Sequence, residues 1–77
     1  MKPLTDRERT LLQQLARGMT LPEIVAGSGE SYAAVHTRYK YLRTKLGAKT
    51  VAYAIAIGAH GGLIDLNDLD DSEAGDA

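Results

Sequence analysis

The residues of this sequence best suited to chemistry lie between Ser31 and Thr50. His36, Thr37 and Lys40 offer hydrogen-bonding groups at helical spacing, and Arg38, Arg43, Lys45 and Lys49 flank them with cations. No carboxylate interrupts the stretch. Hydrogen-bonding groups interleaved with cations suit the edges of bases and the phosphates that frame them, not covalent chemistry. Other chemistries find little here. His36 and His60 stand 24 positions apart in a chain without cysteine, a poor arrangement for a metal, and no cofactor is expected. Gly27-Ser28-Gly29 reads as a turn, because no strand precedes it and no Gly-Lys-Ser/Thr follows. The hydroxyls have no His–carboxylate partner at a readable spacing, so an enzyme is not expected.

The elements that must position these side chains are helical. Thr5-Asp6-Arg7-Glu8 has the spacing of a capping box, and Leu11, Leu12 and Leu15 follow as an apolar stripe. The first helix is expected over 6–17, stopped at Gly18. Thr20-Leu21-Pro22-Glu23 repeats the box, and Ile24 and Val25 supply the core face of a short second helix that Gly27-Ser28-Gly29 should end. Ser31 is an N-cap for a third helix over 32–46. Its core stripe is Val35, Tyr39, Leu42 and Leu46, which fall within about 60° of one another at 100° per residue. The opposite face then presents Ala33, His36, Thr37, Lys40 and Thr44. A second helix, a short turn and a third helix with this outward face form a helix-turn-helix pattern, whose second helix enters the major groove.

The fourth helix, 50–60, is apolar on more than one side. Val51, Ala54, Ile55 and Gly58 make one face, while Tyr53, Ala56 and Ile57 make another that a small domain cannot cover by itself. That second strip, with His60 at its end, is expected to be a homodimer interface. Leu63-Ile64 should tuck back after Gly61-Gly62 as a clasp.

Charge is segregated along the chain. The net charge of −1 is made of nine basic against four acidic residues over 1–64, or +5, and six acidic residues over 65–77, or −6. The expected organisation is a basic domain over 1–64 and an acidic, mostly disordered tail over 65–77. The tail reads as a solvating or self-screening arm. The longest uncharged stretch, Thr50 to Ile64, is shorter than the roughly 20 residues that span a bilayer. Met1-Lys2-Pro3 runs directly into the first cap, which leaves no room for a signal peptide. A cytoplasmic, nucleoid-associated protein without a membrane partner is the expectation.

In Leu4-Thr5-Asp6-Arg7-Glu8, Leu15-Ala16-Arg17-Gly18, Glu23-Ile24, Ser31, Val35, Lys45-Leu46-Gly47 and Gly62-Leu63-Ile64 the sequence resembles the LuxR/GerE-type helix-turn-helix domain. The resemblance runs from Leu4 to Ile64 of the 77 residues. It implies an all-α, four-helix domain that binds double-stranded DNA as a dimer at paired half-sites and regulates transcription. It also implies base reading at His36, Thr37 and Lys40, and phosphate contacts near Thr20, Ser31, Tyr32, Lys49 and Thr50. The sequence departs from the family's pattern where Ser28 and Glu30 replace apolar residues, which predicts a shorter second helix and a more exposed turn. Ala34, His36, Arg38 and Val51 also stand where the family commonly has Thr, Lys, His and Arg, so a relative's DNA sequence does not transfer. Family members commonly carry a receiver or ligand-binding domain ahead of this motif, so the sequence is expected to be either a stand-alone regulator, which Met1 directly before the motif favours, or a fragment.

Two other readings stay open. A sigma-factor region-four-like module shares the Leu-Thr-x-Arg-Glu opening, although the Lys-Leu-Gly ending and the fourth helix argue against it. A protein-interaction adaptor would bind RNA polymerase or another regulator through the fourth helix or the tail.

Overall fold

A hydroxyl side chain starts every helix among the described residues. In the computed structural model, which describes residues 3–65, α1 spans Asp6–Ala16, α2 Leu21–Ser28, α3 Tyr32–Leu46 and α4 Val51–His60. The described residues contain these four helices and no strand. Their caps are Thr5, Thr20, Ser31 and Thr50, each accepting from the backbone N–H three residues on, at 3.1–3.3 Å. At α1 and α2 the box is complete. The Thr5 N–H donates to Glu8 Oε1 at 2.9 Å, and the Thr20 N–H to Glu23 Oε1 at 2.8 Å. Each cap satisfies a donor that the helix cannot satisfy internally and contributes about 1 kcal/mol.

The second helix is longer than its composition predicts. It runs through Gly27 and Ser28, and the chain turns only at Gly29, whose φ of +75° lies in the left-handed region that glycine enters without a Cβ penalty. The expectation that Gly27-Ser28-Gly29 as a unit ends the helix is therefore corrected, as is the shorter second helix. Ser28 closes the turn from inside. Its hydroxyl donates to the Val25 carbonyl at 3.1 Å and accepts from the Glu30 N–H at 3.0 Å. Three residues, Gly29 to Ser31, then separate α2 from α3.

The core lies where α1 meets α3 and α4. Leu11, Leu12, Val35 and Leu42 are almost wholly buried, with Leu15, Ile24, Leu46, Ala54 and Ile64 around them. Tyr39, the fourth member of the expected α3 stripe, packs on this cluster from its edge. At Gly58 the backbone of α4 approaches so closely that a Cβ there would lie 2.6 Å from Leu12 Cδ2. After α4 the chain folds back as expected. The Leu63 N–H donates to the Gly58 carbonyl at 2.7 Å, and Ile64 enters the core. Gln13 of α1 then holds the next residue twice, accepting from the Asp65 N–H at 3.0 Å and donating to its carbonyl at 3.3 Å. The acidic tail expected over 65–77 lies, beyond Asp65, outside the described residues. No helix among the described residues is long and apolar enough to cross a membrane.

Candidate nucleic-acid interface

The outward face of α3 follows from the burial of its opposite side. With Val35, Leu42 and Leu46 in the core, Ala33, Thr37, Lys40 and Thr44 are exposed along the helix, and His36 is half-buried beside them. Helix α3 is 15 residues long, or about 22 Å, and contains no carboxylate.

One edge of this face is an aromatic ladder. Tyr32, His36, Tyr39 and Arg43 recur at four-, three- and four-residue intervals and so share one stripe of the helix. The Tyr32 and His36 rings stack with centroids 5.8 Å apart and planes 16° apart. Tyr39 lies 6.1 Å from His36 on the next turn, tilted by 50°. The Arg43 guanidinium sits over the Tyr39 ring at 5.0 Å. Tyr32 itself is half exposed.

The flanking cations have partners within the protein. Arg38 forms a two-pronged pair with Glu30, with Nη1 at 3.0 Å from Oε1 and Nη2 at 2.7 Å from Oε2. Arg7 adds a second cation to Glu30 at 3.2 Å. The hydrogen bonds from Arg38 outweigh partial burial and hold the Glu30 carboxyl below its ordinary range, while Arg38 is raised above its own. Lys45 Nζ lies 2.7 Å from Glu8 Oε1 and also reaches the Pro3 carbonyl at 3.4 Å. Arg43 donates to the Lys49 carbonyl, bracing the α3–α4 connection. Of the four cations read from the sequence as facing phosphate, Arg38, Arg43 and Lys45 are thus engaged with other parts of the chain. Lys40 and Lys49 are exposed.

Thr20, Ser31 and Thr50 are all helix N-caps, so their hydroxyls already accept backbone hydrogen bonds at the starts of α2, α3 and α4. On α4, Tyr53, Ala56 and His60 form an exposed strip, with Ala52 beside it. Ile57, expected on that strip, is partly buried against the core, because it lies one helical turn from the buried Ala54. Among the described residues no three His, Cys, Asp or Glu side chains gather where they could hold a metal ion.

Sequence reasoning missed Glu30 and Glu8 as partners of the α3 cations. Nothing local betrays either pair. Glu30 stands eight residues from Arg38 and Glu8 thirty-seven from Lys45, separations with no helical register between them. No family model matches the chain, and no curated protein or solved structure is similar to it.

Proposed function

We propose that this protein binds double-stranded DNA with α3 in the major groove, as a LuxR/GerE-type helix-turn-helix regulator of transcription that acts as a homodimer through α4. The observation that carries this reading is the exposed face of α3. It offers Thr37, Lys40 and Thr44 with His36 at its edge, lacks any carboxylate, and starts at a capped N-terminus three residues after α2. A helix is the element that the major groove admits, and its donors and acceptors meet base edges there. Thr37, Lys40 and His36 would read bases. Lys49, with the capped starts of α2 and α4 at Thr20 and Thr50, would meet phosphates.

Electrostatics make this reading quantitative. Each phosphate neutralised contributes a slope of about −0.9 in log K against log salt. With Lys49 the one exposed cation of the four expected on phosphate, a dimer should show a slope of about −2. Were all four cations on phosphate, the slope would approach about −7. Selection of genomic fragments on the purified protein, followed by a salt titration of the enriched duplex, tests both statements. No enrichment over random DNA would overturn the regulator reading.

A second reading rests on α4. The exposed Tyr53, Ala52 and Ala56 suit a protein partner, and an adaptor for RNA polymerase or another regulator would need that strip and no base reading. A protein that selects no duplex yet is held by a polymerase subunit would support it.

A further inference from the structure

The ladder on α3 does more than flank the outward face. Tyr32 lies one turn before His36 and Tyr39 one turn after it, so the imidazole stands between two rings, stacked on Tyr32 and tilted against Tyr39. The stack is braced at its far end. Arg43 covers Tyr39 and is tied through its guanidinium to the Lys49 carbonyl. Among the described residues no hydrogen bond holds either imidazole nitrogen, so ring contacts and not a hydrogen bond orient His36. A ring stacked on one neighbour and hemmed by a second is held by its face, which leaves its edge to a partner, and both nitrogens of imidazole lie on the edge.

We infer that Tyr32 is a positioning residue for base reading: its ring, with that of Tyr39, holds the His36 edge toward the groove. This inference rests on the DNA-binding reading above and sharpens it. It separates two roles for Tyr32 that a sequence cannot tell apart. As a phosphate contact, Tyr32 acts through its hydroxyl and affects all sequences equally. As a positioning residue, it acts through its ring and affects discrimination at the base pair that His36 meets.

Two substitutions divide these roles. Tyr32→Phe keeps the ring and removes the hydroxyl, while Tyr32→Ala removes both. Tyr32 is half exposed, so neither opens a cavity in the core. The measurement is the affinity of each variant for the selected duplex, for the set of single-base-pair changes in it, and for random DNA. His36→Ala marks the base pair that His36 reads. Tyr32→Phe should retain discrimination there, and Tyr32→Ala should lose about tenfold at that base pair with random-DNA affinity unchanged. A uniform loss in Tyr32→Phe would return Tyr32 to phosphate contact and overturn the inference, as would full discrimination in Tyr32→Ala.

A DNA-free measurement keeps the two readings distinct. The His36 ring protons in the free protein should carry upfield ring-current shifts that persist in Tyr32→Phe and collapse in Tyr32→Ala. Unshifted protons in the native protein would remove the stack while leaving DNA binding standing. Shifted protons in a protein that selects no duplex would overturn the DNA reading and the positioning role together.

Discussion

A carboxylate whose side chain is 6% exposed at the start of a helix should be costly, because burial favours the neutral form. Burial is indeed the largest single influence on Glu8 and pushes its carboxyl up. The hydrogen bonds from Lys45 and from the Thr5 backbone outweigh it and leave the group below its ordinary value of 4.5. Glu8 therefore closes the capping box of α1 and anchors α3 at the same time. Lys45→Met should remove the second role and leave a buried, unpaired charge. The expected cost is about 2–4 kcal/mol by urea unfolding, toward the lower end for a broken buried pair because Lys45 keeps some solvent. Glu8→Gln in the same background should return part of that loss. The pH dependence has a definite sign. With its folded value lowered, the contribution of Glu8 is complete above about pH 4.5 and is lost as pH falls through the lower folded value. Glu30, lowered by Arg38, acts in the same direction. Lys45→Met should accordingly flatten the acid limb of stability against pH. At this scale the capping role of Glu8 was legible, since Thr5 and Glu8 are three residues apart. Its pairing with Lys45 was not, because that contact exists only once α1 and α3 have packed.

Two glycines inside helices respond oppositely to their surroundings. Gly27 lies in α2 with nothing within 4 Å of a built Cβ, whereas a Cβ on Gly58 of α4 would lie 2.6 Å from Leu12 Cδ2. Alanine gains about 1 kcal/mol of helix propensity over glycine at either position. At Gly27 nothing opposes that gain, and Gly27→Ala should stabilise by about 0.5–1 kcal/mol. At Gly58 the added methyl must displace Leu12, which is fully buried in the core and must shift against its neighbours there. Overpacking of this kind costs about 1–3 kcal/mol, so Gly58→Ala should destabilise by about 1–2 kcal/mol net. Thermal unfolding of the two variants reads both signs, and a stabilising Gly58→Ala would mean that α4 stands farther from α1. The same pair explains what the elements disclosed in advance. Helix starts were legible from Thr5, Thr20, Ser31 and Thr50, because a cap is a local bond. The end of α2 was read two residues early, because Gly27 looks like a breaker while packing of Ile24 and Val25 carries the helix past it. Ile57 is shared between the core and the exposed side of α4, since the pattern of this helix is apolar on nearly every side and only packing divides it.

Across the whole molecule the internal ion pairs change how the charge should be read. The nine cations of residues 1–64 overstate what a partner meets, because Arg38 and Lys45 are matched by Glu30 and Glu8, a pairing already counted in the +5, and Arg43 is turned onto the α3–α4 connection. The −6 of residues 65–77 begins at Asp65, which Gln13 ties to α1. A covalently tethered acidic segment competes with phosphate for the remaining cations, and the competition is electrostatic, without regard to base sequence. Specific complexes resist it better, since base contacts add affinity that charge does not supply. Deleting Asp70 to Ala77 removes four acidic residues and takes the net charge from −1 to +3. Affinity for random DNA should then rise several-fold at low salt, roughly the gain of one or two extra phosphate contacts, with a smaller rise on the selected duplex. Because screening acts over about 10 Å at 0.1 M salt and about 3 Å at 1 M, most of the difference should vanish at high salt. Replacing Asp70, Asp71, Glu73 and Asp76 with Asn or Gln should reproduce the deletion, which ties the effect to charge and not to length. Equal random-DNA affinity for the deleted and full-length chains at low salt would refute the competition.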